Sequence, residues 1–540
     1  MAKEMVPIQR SDFRVPEEFI GRVRVEKKPD ESKCDELPPV TRTSFMRDRD
    51  RVLYSASFRR LAGKTQIYTV NAVDDHRKNR LTHTLEVAQI ARTIARALGL
   101  DQSLAEAIAL GHDLGHTPFG HAGENMLHDI MSPRVAEKCV VLEGSPFSKH
   151  EKASIREIIS DEKKAKVLKY AYGFKHNIQS ARMAAMLERG YKADDGSNRD
   201  IGLDLTNYTL YGMMTHSSLV YADKFIYKEK DKDEPLQPCF QKEFIDRLMM
   251  RDPEENGRVT NTYAWSFEAF IVEWADDIAQ WHHDLEDALL DGVMPWRKIV
   301  ETVERALGKA IDEQKIEGRK EKLASLKKAE GSLRHDVTTI TSIVVDTLVT
   351  DLVKTSLENF GRLKKIVLEK RKKHWASQLE ANDIRDFFLN YQNYTDEPEV
   401  KSPKDAFGWV ISVSGNVDKR EFKETIRSWI HHSRNVERMN AKGQYIIKEL
   451  FAAYLKNPQL LPDGTVLRLV VDMRLSKSIE SARKGGIGAA RAKLEENIKG
   501  IGIETADDIY KKCLLMRRIC DHIASMTDRY AVEEYRKLYG

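Results

Sequence analysis

"RLTHTLEVAQIARTIARALGL", Arg80–Leu100, and "SLAEAIALGHDLGHTPFGHAGE", Ser103–Glu124, lie almost end to end and read as two consecutive helices. In the first, Val87, Ile90, Ile94 and Leu98 recur at helical spacing, and Gly99 stands where a helix C-terminus favours glycine. In the second, Ser103 and Glu106 have the S-x-x-E order of a capping box, and Leu104, Ile108 and Leu110 supply the apolar contacts. His83 is thus expected near the start of one helix and the His112/Asp113 pair at the end of the next.

Working outward, helical spacing recurs in "NIQSARMAAMLERG", "SFEAFIVEWADDIAQWHHDLEDALLDG", "ITSIVVDTLVTDLVKTSLENF" and the final "YKKCLLMRRICDHIASMTDRYAVEEYRKLYG". Strand-like alternation is scarce, with "TVLRLVVDM" the best candidate. The chain is expected to be mainly α. The most polar internal stretch, residues 311–336, reads as a charged connection. It separates a catalytic core over 41–310, preceded by an extension over 1–40, from a C-terminal helical region over 337–540.

With 540 residues, 41% hydrophobic and 32% charged, the chain can bury a sizeable core. No apolar run approaches the roughly 20 residues a membrane span needs, and the first residues lack a signal-peptide core, so a cytoplasmic protein without membrane contact is expected. Cys34, Cys139, Cys239, Cys513 and Cys520 are scattered and odd in number, which argues against a disulfide framework or zinc ribbon. A net charge of +4 is too small to imply nucleic acid, although "RDRDRVLYSASFRRLAGK" is a local basic cluster.

Four histidines, an aspartate and a glutamate fall between Ala109 and Glu124. A divalent ion that activates water needs imidazole and carboxylate ligands with coordination positions left open. His112 and Asp113 diverge by about 100° around a helix, so they share one ion only if it sits over the helix end. Other ligands must come from other helices. His83 is the first candidate, and "WADDIAQWHHDLEDAL" offers Asp276, Asp277 and Asp284 along one side of an apolar helix.

These residues resemble the deoxyguanosine triphosphate triphosphohydrolases of the HD-domain phosphohydrolase superfamily. The likeness includes "RDRDRVLYSASFRRLAGKTQIY", "ALGHDLGHTPFGHAGE", "HNIQSAR", "GLDLTNYTL", "ADDIAQWHHDLEDAL" and "DHIASMTDRYA", in the family's order from about residue 40 to 535. It implies an HD-domain helical core and a metal held by His83, His112, Asp113 and Asp276. The metal would be Mn2+ or Mg2+, with Fe2+ and Co2+ also compatible with such ligands. The implied reaction splits a deoxynucleoside triphosphate into deoxynucleoside and tripolyphosphate by attack of water at the α-phosphorus.

The resemblance makes His121 the catalytic histidine, Glu124 the residue that orients it and Asp284 the acid that closes the site. It places His116 at the α-phosphate and Gln66 at the sugar or base. Arg59, Arg60 and Lys64 are cationic candidates for phosphate, and Lys224 matches a phosphate-binding lysine. Gly115, Gly120 and Gly123 are expected to let backbone approach the ligand. Asn177, Gln179 and Arg182 share the family pattern, some as support. The family implies a homo-oligomer. This sequence departs at Gln280, where the family commonly has a tyrosine against the sugar, at Thr117 where proline is usual, and in a longer segment before Ala264. A phosphodiesterase or nucleotidase of the wider superfamily would share the four ligands. "NIKGIGIETADDIYKK" resembles a hairpin that binds the backbone of single-stranded DNA, with a helix-capping turn at Thr505 as the simpler explanation.

Overall fold

A computed structural model of the chain describes residues 42–66, 79–131, 174–188, 190–192, 201–215, 266–290, 292–316, 318–328, 334–373, 408–476, 479–499 and 506–540. Among them are α1 (Ser44–Leu53), α2 (Ala56–Arg60), α3 (Arg80–Leu98), α4 (Gln102–Gly111), α5 (Gly120–Met131), α6 (His176–Arg182), α7 (Asn207–Thr215), α8 (Phe267–Leu290) and α9 (Trp296–Gln314). There follow α10 (Arg319–Leu326), α11 (Arg334–Lys370), α12 (Lys419–Ile426), α13 (Arg434–Lys456), α14 (Asp463–Asp472), α15 (Ile479–Arg483), α16 (Gly486–Lys499), α17 (Ala506–Ala524) and α18 (Asp528–Tyr539). The described residues contain no strand, although Thr65 and Asn79 form an isolated bridge, and none of their helices is long and apolar enough to cross a membrane. The protein is mainly α.

α3 follows the sequence pattern. Asn79 caps its start by accepting from Thr82 N, and Gly99 ends it at φ 76°, where a side chain would be strained. Its Val87, Ile94 and Leu98 are buried against α4 and α8, each contributing about 1.5–3 kcal/mol of apolar burial. α4 starts differently from expectation. Asp101 is the cap, accepting from Ser103 N at 2.8 Å and Leu104 N at 3.0 Å, while Glu106 turns to Arg49 and Arg92. A charged carboxylate two residues upstream serves the positive helix end better than a hydroxyl.

Two hydrophobic cores organise the described helices. The first runs from Phe45 to Ile430 and contains the faces of α3, α4 and α8. The charged stretch 311–336 contributes to it: Leu323 and Leu326 of α10 are buried there, and Trp296 Nε1 donates to Leu326 O at 3.0 Å. The second core is built from α13, α14, α16, α17 and α18, with Phe119, Leu127, Met131 and Phe174 added from the N-terminal part. α5, which carries His121, therefore joins the histidine-rich segment to the C-terminal helices.

"TVLRLVVDM" is α14 and not a strand. Val466, Leu467, Leu469 and Val470 are its buried residues, a period of 3.6 that tertiary packing imposes over the strand preference of its valines. The final expected helix is two, α17 and α18, separated where Thr527 caps α18 by accepting from Tyr530 N. Lys224, the segment 227–264, the extension 1–40 and Thr505 lie outside the described residues.

Candidate active site

Three helices and one turn bring the expected ligands together. His83 projects from the first turn of α3, His112 and Asp113 follow the end of α4, and Asp276 comes from the middle of α8. His83 Nε2 is 2.7 Å from Asp276 Oδ1, and His112 Nε2 is 3.5 Å from Asp113 Oδ1 and 3.7 Å from Asp276 Oδ1. Asp277 faces elsewhere, 3.8 Å from Lys423.

The donor chemistry suits a divalent cation. His112 Nδ1 lies 2.6 Å from the carbonyl of Ala109, which only accepts, so this nitrogen bears the proton and Nε2 keeps its lone pair. Two carboxylates converge on that lone pair. Desolvation, the largest influence on His112, lowers its pKa, but Asp113 and Asp276 outweigh it and raise it to about 9. A proton and a divalent ion thus compete for the same place, and His83, His112, Asp113 and Asp276 are the residues that would hold the ion. Arg80 Nη1 braces Asp113 from behind at 2.6 Å.

Beside this quartet lies a second group of imidazoles. His116 stacks on His176 with ring centroids 4.5 Å apart, and His121 stands edge-on to both at 5.5 and 6.3 Å. Burial, then Arg80 and His176, push His116 well below the usual range, so its ring is neutral. His121 keeps solvent access although many protein atoms crowd it and desolvation lowers its pKa. Glu124 also meets a histidine with which its sequence spacing does not pair it. Its Oε2 is 3.1 Å from His176 Nδ1, off the line of a hydrogen bond, and its Oε1 accepts from His176 N at 3.3 Å. The carboxylate therefore braces His176 directly, with His121 within 4.8 Å of the same group.

Asp284 is buried on α8 along one stripe with Asp276 and Gln280. Burial, with Asp287 and Asp276 adding repulsion, drives its carboxyl well above the usual range, which favours the proton-bearing form. Gln280 is half-buried on this stripe, and the neighbouring Trp281 stacks on Phe422 in the core. Buried polar atoms of Gln66, Arg80, His116 and Asp284 find no hydrogen-bond partner among the described residues. Such atoms are costly unless a ligand or water satisfies them.

Other expectations are redirected. Arg59 is exposed on α2 and donates to Tyr54 O at 3.2 Å, away from the cluster. Arg60 pairs with Glu188 at 3.3 Å. Lys64 is buried with Nζ donating to the carbonyls of His116 and Ala524, so it ties backbone together and offers nothing to phosphate. Gly115 and Gly123 make room for protein: a Cβ would meet Ser180 N at 2.2 Å and Pro118 O at 2.1 Å. Gly120, at φ 60°, does face Arg80 and Gln66. Gln179 and Arg182 both bind Asp521 of α17, at 3.0 and 2.8 Å, and so support the site from a distance. His176 and Arg80 were missed as site residues. Each opens a quoted segment, "HNIQSAR" and "RLTHTLEV", and only its tertiary neighbours reveal its place.

The HD domain family matches residues 80–210, and the phosphohydrolase-associated domain matches 414–474 and 492–537. Proteins called deoxyguanosinetriphosphate triphosphohydrolase-like are similar over nearly the whole chain. That of Geobacter metallireducens is 30% identical across 92% of this chain and 89% of its own length. The Bordetella pertussis relative is 30% identical across 93% and 92%. This chain belongs to the deoxyguanosinetriphosphate triphosphohydrolase-like family of the HD superfamily. In this HD phosphohydrolase the first match holds His83, His112, Asp113 and the imidazole group, while Asp276 comes from α8, beyond it. The second match falls on the helices of the C-terminal core, which reach back to α5.

Proposed function

We propose that this hydrolase converts a deoxynucleoside 5′-triphosphate, dGTP foremost, to the deoxynucleoside and tripolyphosphate. The observation that carries it is the convergence of His83, His112, Asp113 and Asp276 beside buried Arg80 and His116, whose unsatisfied polar atoms recur on Gln66 and Asp284. A bound Mn2+ or Mg2+ would supply Lewis acidity and a more acidic water.

The chain's own groups take the remaining work. His116, neutral and stacked on His176, would donate from its unsatisfied Nε2, in the Nε2–H tautomer, to an oxygen of the α-phosphate. Arg80 keeps Nε and Nη2 for the phosphate chain while Nη1 holds Asp113. Water's oxygen bonds to the α-phosphorus as the bond from phosphorus to the 5′-oxygen breaks; water gives up a proton and the departing 5′-oxygen gains one, and His121, neutral at rest, is the group that accepts a proton and, once charged, returns it. Gln66 and Asp284 receive the sugar, with Gln280 in place of an aromatic ring beside it.

Incubation with each dNTP and with GTP, in Mn2+ and in Mg2+, followed by phosphorus NMR, tests this. Tripolyphosphate with free deoxynucleoside is expected. Release of orthophosphate or pyrophosphate, or activity confined to phosphodiesters, refutes it.

A further inference from the structure

α3 and α8 pack against each other, and their facing residues interleave. His83 and Glu86 lie one turn apart on α3, Asp276 and His283 two turns apart on α8. The result is a continuous chain of polar contacts. Asp276 Oδ1 meets His83 Nε2 at 2.7 Å, His83 Nδ1 meets His283 Nδ1 at 3.3 Å, and His283 Nε2 hydrogen-bonds Glu86 Oε2. His83 and His283 are both buried, and Glu86 reaches solvent.

The protons along this chain can be assigned from the acceptors. A carboxylate only accepts, so His283 Nε2 donates to Glu86. A neutral His283 then has a bare Nδ1, and the proton between the two Nδ1 atoms belongs to His83. His83 Nε2 faces the Asp276 carboxylate at 2.7 Å and the His112 side of the site, the place a proton fills in the metal-free site and the lone pair offers to a divalent ion that displaces it. We infer that Glu86 and His283 are positioning residues that lock His83 in the tautomer and orientation that present Nε2 to the divalent ion. This rests on His83, His112, Asp113 and Asp276 being the ligands. Carboxylate, imidazole and ligand in series is a second shell one residue longer than the usual carboxylate–histidine pair.

The test is Mn2+ binding to full-length, chelator-stripped protein, followed by calorimetry and by free-Mn2+ EPR, beside the melting temperature of the metal-free form. One ion per chain is expected for the wild type. His283→Phe keeps a ring in the buried slot but removes both nitrogens, and Mn2+ affinity should fall about 10–100-fold. Glu86→Leu should fall in the same direction, and Glu86→Gln, whose amide oxygen still accepts, should recover most of the loss. The metal-free melting temperature of Glu86→Leu should stay near wild type, which a mere packing role would not give. If His283→Phe does not fold, the partly exposed Glu86 pair decides alone. Unchanged Mn2+ affinity in Glu86→Leu, with affinity lost in His112→Ala, overturns the positioning role and leaves the ligand set standing. Retained affinity in His112→Ala instead overturns the ligand set itself. His282 Nδ1 is 3.6 Å from Glu86 Oε2, so two ions per wild-type chain, falling to one in His282→Ala, would also overturn the inference by making Glu86 and His283 ligands.

Discussion

Glu124 turns its carboxylate to His176, 3.1 Å from Nδ1, and Lys175 closes on its other oxygen at 3.2 Å. Glu124 and His176 therefore form the braced pair, and solvent-exposed His121 lies within 4.8 Å of the same carboxylate. His121→Ala should keep its metal and lose about 10²–10⁴ in kcat, the usual size of a general acid–base contribution. In double-mutant cycles on kcat, His176→Ala and Glu124→Ala should be strongly non-additive, while His121→Ala and Glu124→Ala should come closer to multiplying. Strong coupling of Glu124 to His121 and none to His176 would contradict the braced pair.

Loss of a ligand should remove metal and activity together. His112→Ala and Asp113→Asn are expected to purify with little bound Mn2+ and to show no measurable turnover, by elemental analysis and product assay. Asp113→Ala should also unfold more easily, by about 3–5 kcal/mol, because it strands the buried Arg80 guanidinium. Full metal occupancy in either His112→Ala or Asp113→Asn would remove that residue from the set.

The sequence carries the helices wherever a stripe of apolar residues repeats at 3.6, as in α3, while spacing alone leaves Asp276, Asp277 and Asp284 open and only the family resemblance names Asp276 with His83, His112 and Asp113. It is silent on partners supplied by distant segments. Lys64 looks like a phosphate ligand until the carbonyls of His116 and Ala524 are seen around its ammonium. Glu124, one turn from His121, gains a second imidazole partner only when α6 delivers His176. Asp101 outcompetes Ser103 as a cap because charge at a helix end outweighs a sequence motif. In each case local spacing leaves several contacts open, and packing chooses one.

Gln280 lies on the stripe of α8 between Asp276 and Asp284. Gln280→Tyr puts a ring where the proposed sugar lies and should raise the dGTP-to-GTP ratio of kcat/KM, the expected direction for an added clash with a 2′-hydroxyl. An unchanged ratio would take Gln280 out of the pocket.

Glu268 is fully buried and its Oε1 accepts from Asp101 N at 2.9 Å, clipping the start of α8 to the cap of α4. Burial is the main cause that pushes its carboxyl up to about 7. A folded-state pKa above the unfolded one means that the stability this group confers is whole below about pH 4.5 and is lost as pH rises to 7. Glu268→Gln keeps an acceptor and cannot ionise. Its urea midpoint should gain on wild type between pH 5 and 8, by on the order of 2–3 kcal/mol at the upper end. Parallel curves for the two proteins would show that Glu268 ionises freely in the fold.

Asp528, at the start of α18, holds two loops of the active site at once. Its Oδ2 accepts from Thr65 N at 3.0 Å and from Thr65 Oγ1, next to Gln66, and its Oδ1 accepts from Phe119 N at 2.9 Å, two residues before His121. Phe119 is at φ 62°, a strained conformation for an aromatic residue that needs such external support. The C-terminal helix thus reaches groups proposed for the sugar and for proton transfer through contacts separate from those described for His83, His112, Asp113 and Asp276. Asp528→Asn puts amide hydrogens against backbone donors, so one loop must lose its bond. We expect kcat/KM to fall about 10–100-fold, from misplacement of groups a fraction of an ångström from their working positions, with Mn2+ affinity within about twofold of wild type. Arg529→Ala, next in sequence but paired only with exposed Glu533 among the described contacts, should leave both unchanged. If Asp528→Asn loses metal as well, α18 holds the whole site together and the two loops are not its specific target. If it turns over normally, the clamp is dispensable.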